Sequence, residues 1–166
     1  MQSNEQQQEF VQLLNQHQAL IHKVCNLYGH GHTDREDLFQ EIVVQLWKAY
    51  PKFRGESKFS TWLYRIALNT AISGLRKRKN HIASFEPENI PTDIQDEVYN
   101  AEKEVQLEQL YDAIRQLSEI EKALVMLYLE DKSYDEMEEI LGINQNNLRV
   151  KMNRVKEKIR KLIKSE

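Results

Sequence analysis

The clearest periodic signal in the chain lies at residues 141–162, "LGINQNNLRVKMNRVKEKIRKL". Its apolar side chains recur at steps of four, three, four and three residues, which places them in one narrow helical stripe: Leu148, Met152, Val155, Ile159 and Leu162. Gly142 suits the left-handed residue that follows a helix, and Asn144 suits the cap of the next helix. The stretch therefore predicts the end of one helix, a glycine turn and a second, amphipathic helix.

The side of this last helix away from the stripe carries amides and cations. A short helix that opens with the capping pattern "SYDE" at Ser133 to Glu136 precedes the turn, so the whole matches a helix-turn-helix. The second helix of that motif enters the DNA major groove, where Arg and Asn suit base edges and Lys mainly contacts phosphates. An ordinary helical hairpin with a solvated charged face fits the pattern equally well. The candidate DNA contacts are Asn146, Asn147, Arg149, Val150, Lys151, Asn153, Arg154 and Lys156.

Composition predicts an all-α protein. The 166 residues include only five Gly and three Pro, and Gln, Glu, Leu, Ile and Lys are frequent. No apolar run approaches the roughly 20 residues of a membrane span, and the polar N-terminus lacks the apolar segment of a signal peptide. We therefore expect a cytoplasmic protein without stable membrane insertion. The single cysteine, Cys25, excludes an intramolecular disulfide.

Charge is distributed unevenly along the chain. The formal net charge is only -3, but every residue of 76–79 is cationic, and the charged residues of 149–164 are all cations except Glu157. Between these basic segments, residues 86–112 are rich in Asp and Glu. Two basic segments therefore flank an acidic one, which argues against a uniformly basic coat for nucleic acid.

The N-terminal half predicts three helices. The first ends at "GHGH" and has a periodic face made of Phe10, Leu13, Leu14, His17, Ile21, Val24 and Tyr28. The second begins at "TDRE", where Thr33 would cap the backbone and Glu36 would complete a capping box, and Pro51 stops it. The third ends in "RKRK", and its predicted buried stripe is Phe59, Leu63, Ile66 and Ala67.

A proline-containing acidic stretch at residues 80 to about 98 reads as a linker. After it, one more amphipathic helix is predicted before a capping-box pattern, "SEIE", at Ser118 to Glu121. The apolar positions of that helix are Leu107, Leu110, Ile114 and Leu117.

Three segments together resemble a known family. They are "DREDLFQEIVVQLWKAY", "FRGESKFSTWLYRIALNTAISGLRKRK" and "LSEIEKALVMLYLEDKSYDEMEEILGINQNNLRVKMNRVKEKI". In this order they resemble regions 2 and 4 of the extracytoplasmic-function (ECF) class of bacterial sigma factors, which belong to the sigma-70 family. The resemblance implies an all-α fold of two small helical domains. Region 2, with three helices, would occupy residues 1–80, an acidic linker 81–100, and a helix-turn-helix region 4 residues 101–166.

The resemblance also implies a function. Such a factor binds core RNA polymerase and promoter DNA and directs transcription initiation, and the family suggests a membrane-linked anti-sigma factor as a further partner. A helix-turn-helix regulator that binds duplex DNA alone is the alternative function. No nucleophile with its base, phosphate loop or ligand cluster is recognisable in the sequence, so we expect neither an enzyme nor a cofactor.

By resemblance, the second predicted helix grips the largest polymerase subunit. The implied contacts are Asp34, Asp37, Gln40, Glu41 and Trp47. Carboxylates beside a large aromatic make a plausible anchor for a basic partner helix. The alternative is a solvated acidic face with Trp47 in the protein core.

By resemblance, the segment from Arg54 to Lys79 holds and melts the minus-ten element of the promoter. An extruded base needs a stacking surface and polar groups, which aromatic and amide side chains supply, while cations contact phosphates. The alternative makes Phe59 and Trp62 core residues and "RKRK" a solvated helix end. The implied contacts are Arg54, Lys58, Phe59, Trp62, Arg65, Asn69, Arg76, Lys77, Arg78 and Lys79.

Two positions depart from the family pattern, and one cluster suggests a different site. Ser73 stands where the family usually has Asp, and Glu138 stands where it usually has a small Ala between the two helices of the motif. Glu138 must therefore point partly outward or open the interhelical angle. A zinc site is the weaker interpretation of the remaining cluster, because paired ligand spacing is missing. Its candidate ligands would be His22, Cys25, His30 and His32.

Overall fold

A computed structural model describes the backbone of residues 2–81 and 101–164, and the side chains of residues 4–75 and 102–164. Within those residues the regular structure is entirely helical, which confirms the predicted all-α class. The chain divides into two compact units, Met1–Ile90 and Pro91–Glu166. The predicted linker at residues 81–100 lies, from residue 82 onward, outside the described residues. None of the helices in the described part is both long and apolar enough to cross a membrane.

The first unit contains α1 (Gln2–Gln16), α2 (Gln18–Tyr28), α3 (Gly31–Ala49), a 3-10 turn (Tyr50–Lys52) and α4 (Phe59–His81). The single first helix predicted from the sequence is wrong, because the chain breaks at His17. The backbone of His17 has φ -118° and ψ 16°, outside the helical range. Its ring Nδ1 lies 2.8 Å from the carbonyl oxygen of Leu13, one turn earlier. This local bond supports the break, and α1 and α2 become separate helices.

The core of the first unit lies between α2, α3 and α4. Each helix contributes its apolar stripe, and the side chains that are fully enclosed include Ile21, Val24, Ile42, Leu46, Leu63, Tyr64 and Leu68. The predicted stripe of α4 is confirmed at Leu63 and Ala67, which are buried. It is wrong at Phe59 and Ile66, which are only half-buried. The core therefore fixes one side of α4 and leaves another side at the surface.

The start of α3 differs from the predicted capping box at Thr33. The helix begins two residues earlier, at Gly31, and the backbone N–H of His30 donates to Asp34 Oδ2 at 2.8 Å. Asp34 therefore satisfies a backbone donor at the helix start, where a carboxylate also interacts favourably with the helix dipole. At the other end, α3 stops at Ala49 and Pro51 lies in the following 3-10 turn, as predicted.

The second unit contains α5 (Ala101–Arg115), α6 (Glu119–Leu129), α7 (Tyr134–Leu141) and α8 (Gln145–Lys164). Its predicted helix starts and its glycine turn are confirmed, although at Ser133 only one of the two hydrogen bonds of a capping box is present. Ser118 and Glu121 form the reciprocal capping box of α6, and Ser133 Oγ accepts from the Glu136 N–H at 3.2 Å. Gly142 ends α7 with φ 70°, and the Asn144 side chain accepts from the Asn146 N–H at 2.8 Å. In the helix-turn-helix, the first helix therefore ends and the second begins as predicted, at Gly142 and Asn144.

The apolar face of α5 is buried only in its second half. Ile114 and the following Leu117 are in the core, but Leu107, which belongs to the same predicted apolar face, is 47% exposed. α5 packs against α8 and α6. Its first two turns carry exposed apolar side chains, including Val105.

Candidate functional site

One face of α4 presents the central minus-ten candidates in a row. At 100° per residue, Trp62, Arg65, Asn69 and Ser73 lie within about one quarter of the helix circumference. Arg65, Asn69 and Ser73 are exposed and Trp62 is half-buried, whereas Leu63 and Ala67 on another side are fully buried. The structure therefore brings these four side chains onto one accessible surface, which we name the α4 row.

An aromatic cluster lies at the start of the α4 row. The Trp62 ring centroid is 5.4 Å from that of Phe59 and 5.0 Å from that of Phe53. The ring of His17 also packs against Phe59, at a centroid distance of 4.9 Å. Phe59 and Trp62 are both half-buried, so each ring supports the core and also reaches the surface. Sequence reasoning missed Phe53, although an aromatic residue directly before the polar loop was a visible signal.

The loop before α4 is shaped by Gly55, which adopts φ 72°. Arg54 and Lys58 are exposed on this loop, and the carbonyl oxygen of Lys58 accepts from the Trp62 N–H at 3.1 Å. This bond joins the loop to the first turn of α4. Residues 76–79 continue the helix, and their predicted DNA-contacting side chains, Arg76, Lys77, Arg78 and Lys79, lie outside the described residues.

A second accessible surface runs along α3. Asp37, Gln40 and Glu41 are exposed, and Glu41 accepts a hydrogen bond from Gln45 at 2.9 Å. Val44, on the same face, is 44% exposed and was missed by sequence reasoning. An apolar residue seven positions after Asp37 was the signal that could have identified it. We name Asp37, Gln40, Glu41, Val44 and Trp47 the α3 face.

Trp47 and Asp34 behave differently from the rest of their predicted group. Trp47 is 42% exposed, while its ring also packs against Phe10 of α1 at a centroid distance of 5.0 Å. It is therefore neither fully in the core nor free of it. Asp34 is half-buried and accepts from the His30 backbone, so it belongs mainly to the start of α3.

The third accessible surface is on α8. The buried stripe is confirmed at Leu148, Met152 and Val155. Away from it, seven candidates are exposed: Asn146, Asn147, Arg149, Val150, Lys151, Asn153 and Arg154. Lys156 is half-buried. The helix thus separates an apolar side that packs on its own unit from a side with amides and cations.

Several α8 side chains contact the neighbouring helices. The Arg149 guanidinium carbon lies 5.1 Å from the ring centroid of Tyr134, and Lys156 Nζ lies 4.4 Å from that of Tyr128. Gln145 donates to the Asp135 carboxylate. These contacts join the edge of α8 to α6 and α7.

Glu121 links α8 to the start of α6. Its carboxylate accepts from Lys158 Nζ at 3.0 Å and from the Ser118 N–H at 3.0 Å. Burial alone would raise the pKa of the Glu121 carboxyl, but the hydrogen bonds from Ser118 and Lys158 outweigh burial, so the pKa is lowered. One carboxylate therefore serves both the helix cap and an interhelical ion pair.

The departure at Glu138 leaves the turn intact. The Glu138 side chain is half-buried, in keeping with the expected partly outward orientation. The backbone carbonyl oxygen of Glu138 accepts from the Gly142 N–H at 2.8 Å. The helix-turn-helix therefore keeps its glycine cap without the usual small residue.

The zinc interpretation finds no support in the described residues. His22 stacks on Phe39 at 4.8 Å, and His32 Nε2 lies 2.9 Å from Glu36 Oε1. Burial, followed by the charge of Asp34, raises the pKa of the Cys25 thiol to about 11. Residues 4–75 and 102–164 contain no group of three His, Cys, Asp or Glu placed to hold a metal ion.

Comparisons with known proteins match this arrangement. Residues 13–81 match the family Sigma-70 region 2, and residues 107–159 match Sigma-70, region 4. The ECF RNA polymerase sigma-E factor of Haemophilus influenzae is 34% identical over 139 residues, which cover 76% of this chain and 73% of that protein. The sigma-E factor of Escherichia coli strain K12 is 31% identical over 151 residues, covering 83% of this chain and 79% of that one.

Two solved structures share the fold. The sigma factor RpoE of Bartonella quintana, crystallised with the anti-sigma factor NepR, superposes with a TM-score of 0.77 at 20% identity, covering 94% of this chain and 97% of that one. CnrH, solved in complex with the cytosolic domain of CnrY, has a TM-score of 0.68 at 20% identity, covering 96% and 90% of the two chains. With two regions matched in order and relatives above 30% identity over about three quarters of their length, this chain belongs to the ECF class of the sigma-70 family, non-enzymatic factors that direct RNA polymerase to promoters and initiate transcription.

Proposed function

We propose that the chain divides the work of a sigma factor among three surfaces. The α3 face binds core RNA polymerase, the α4 row with its loop holds and opens the minus-ten element, and α8 reads the minus-thirty-five element. The observation that carries this proposal is that the candidate residues on α4 and α8 are turned away from the buried stripes of those helices. Residues 1–80 form region 2, residues 81–100 an acidic linker and residues 101–166 region 4.

The α3 face has the make-up of a protein-binding patch. Two large apolar side chains, Val44 and Trp47, are 44% and 42% exposed amid acidic and amide residues. Apolar anchors surrounded by polar groups give most of the affinity at typical interfaces, and the charged rim favours a partner of opposite sign. A basic helix of core polymerase fits this chemistry. Asp34 contributes to the α3 face indirectly, because its carboxylate accepts from the His30 N–H and holds the start of the helix.

The α4 row suits a melted DNA strand. Phe59 and Trp62 offer partly exposed rings for stacking, and base–aromatic stacking is worth about 1–3 kcal/mol per base. Arg65, with Arg54 and Lys58 on the loop, would neutralise phosphates, and the Asn69 amide would bond a base edge. Ser73 lies farther along the same row. Because it stands where the family usually has Asp, this surface lacks a negative charge that would repel phosphate. The side chains of residues 76–79 would extend the phosphate contacts.

On α8, roles divide by side-chain chemistry. Asn146, Asn153, Arg149 and Arg154 would read base edges, because amides and guanidinium groups pair with adenine and guanine. Asn147 and Val150 would contact neighbouring bases, and Lys151 and Lys156 would contact phosphates. The reading surface is rigid on its inner side, since Leu148 and Met152 are buried.

We also propose an anti-sigma factor as a partner and the cytoplasm as the place of action. The two solved structures described above are complexes, one with an anti-sigma factor and one with the cytosolic domain of CnrY. These complexes support a comparable inhibitory partner for this chain, linked to the membrane as in the family's usual arrangement. RNA polymerase and promoter DNA are the remaining partners.

A charge reversal on the α3 face tests the polymerase assignment. Asp37→Lys combined with Glu41→Lys should abolish co-elution with purified core RNA polymerase in gel filtration, because like charges would then face the basic partner. Both residues are exposed, so helical content measured by circular dichroism should stay unchanged. The matched control is Glu102→Lys with Glu104→Lys on α5, also exposed, which should co-elute normally.

Two results would contradict this assignment. Unchanged co-elution of the α3 variant would remove the α3 face from the polymerase interface. Wild-type chain that binds isolated promoter duplex tightly as a dimer, without polymerase, would instead favour a stand-alone regulator.

A further inference from the structure

The side chain of Arg149 is held on two sides. Its guanidinium carbon lies 5.1 Å from the ring centroid of Tyr134, and its Nη1 lies 3.4 Å from Asn146 Oδ1. A cation within about 6 Å of an aromatic centroid is attracted to the ring face. Arg149 is nevertheless exposed to solvent. A long surface side chain with many rotamers is thus restrained by one ring and one amide.

The backbone at Tyr134 is held by hydrogen bonds at the start of α7. Tyr134 is the first residue of α7, directly after Ser133, whose Oγ accepts from the Glu136 N–H. The next residue, Asp135, accepts a hydrogen bond from Gln145 in the first turn of α8. The starts of α7 and α8 are therefore joined beside the ring, and Tyr134 is a half-buried platform.

Such a platform restrains Arg149 and leaves available the in-plane donors of its guanidinium that are not bonded to Asn146. A guanidinium is planar and donates within its plane, so an aromatic ring against one face leaves the edge donors available. Freezing a free Arg side chain costs conformational entropy, and a side chain already held before binding loses less. Base reading depends on this orientation, because the two donors must match two acceptors of guanine.

From this geometry we propose that Tyr134 is a positioning residue that orients Arg149 for reading one base pair of the upstream promoter element. The proposal rests on the proposed role of α8 and adds a residue outside that helix. Tyr134 acts through its ring, not through its hydroxyl. The pair Tyr128 and Lys156 provides a contrast, since a Lys ammonium donates without a fixed plane and a ring beside it would not set base preference.

The test uses the full chain with core RNA polymerase. The probes are promoter duplexes: one selected by the wild-type holoenzyme from a library randomised in the upstream element, and the set of its single base-pair changes. Arg149→Ala should reduce preference at one base pair about ten-fold or more. Tyr134→Leu and Tyr134→Gln should reduce preference at the same base pair about two- to five-fold, whereas Tyr134→Phe should keep it because the ring remains. Adding Tyr134→Leu to Arg149→Ala should change nothing further.

Controls separate positioning from folding. Tyr111→Leu makes the same chemical change at an exposed position of α5 and should leave base preference unchanged. Melting curves from circular dichroism show that each variant is folded at the assay temperature. The use of two variants that lack the ring, together with the Phe variant, keeps the test decisive if one of them unfolds.

Three results would overturn the proposal. Wild-type preference in the Leu and Gln variants, with preference lost in Arg149→Ala, would reject the positioning role of Tyr134 and leave the proposed role of α8 intact. No change of preference in Arg149→Ala would reject both the positioning role of Tyr134 and the base-reading role of Arg149. A loss of preference in Tyr134→Phe as large as that in the Leu and Gln variants would assign the effect to the tyrosine hydroxyl instead of the ring.

Discussion

The α4 row makes a direct prediction about promoter opening through Asn69→Ala. Asn69 is exposed and lies seven residues, about 10 Å along the helix, beyond Trp62. Because its amide is outside the core, and because Ala favours helix more than Asn, the substitution should leave the free energy of unfolding within about 0.5 kcal/mol of wild type. If the amide bonds an unpaired base, the open complex should lose about 1–2 kcal/mol. Opening should then slow roughly five- to thirty-fold.

Permanganate footprinting of unpaired thymines, with core polymerase present, measures this opening. It should be followed on a fully duplex promoter and on a template already mismatched in the minus-ten region. The mismatched template should recover part of the lost rate, because the protein no longer supports the cost of unpairing. The contact to the extruded base would stay missing, so recovery should be incomplete. Co-elution with core polymerase should remain at the wild-type level.

A matched control isolates the position of the amide. Asn26→Ala makes the same substitution at an exposed site of α2, away from the α4 row, and should open promoters normally. If Asn69→Ala opens duplex promoters at the wild-type rate, α4 is a structural helix at this point. If Asn26→Ala slows opening equally, the effect is not specific to the row.

Three further predictions concern stability and reactivity. Burial, followed by the charge of Asp34, raises the pKa of the Cys25 thiol to about 11. At pH 8 this thiol should therefore react with iodoacetamide about 100-fold more slowly in the folded chain than in urea, and equal rates would contradict its burial. Glu121→Gln should cost about 0.5–1 kcal/mol in urea unfolding at pH 7. Because folding lowers the pKa of Glu121, its contribution is present above the unfolded value of about 4.3 and is lost as pH falls through the folded one, so the difference from wild type should shrink in acid. Gly142→Ala should lower the free energy of unfolding by about 1 kcal/mol, because residue 142 has a φ of 70°. Gly74→Ala inside α4 should instead raise the free energy of unfolding by about 0.5–1 kcal/mol. Thermal melts in which the Gly142 variant is the more stable of the two would refute both expectations.

The sequence was sufficient for features that depend on neighbours in the chain. The stripe of α8, the glycine turn at Gly142 and the capping box at Ser118 and Glu121 were all predicted, and the structure confirms them. Each involves residues within one or two helical turns, so the spacing of side chains along the chain is enough to specify it.

Local patterns failed where several local solutions compete. His17 continues the apolar period of the first helix, yet its bond with the Leu13 carbonyl supports a break that periodicity alone does not reveal. Thr33 offers a capping box, but the Asp34 carboxylate takes the backbone donor of His30 instead. In both places, different local hydrogen bonds compete for the same backbone groups, and a periodic pattern of apolar residues does not show which one forms.

For the candidate surfaces, sequence alone determined that three helices form, the buried part of the α8 stripe and the residue types suited to polymerase and promoter. Only tertiary structure decided which apolar side chains stay at the surface. Val44 and Leu107 are exposed, whereas Phe53, Phe59 and Trp62 pack into one cluster. It also placed Tyr134 of α7 beside Arg149 of α8. The physical reason is that burial and ring contacts depend on which helices meet. Those meetings are set by packing between distant parts of the chain, which the local period of a helix does not encode.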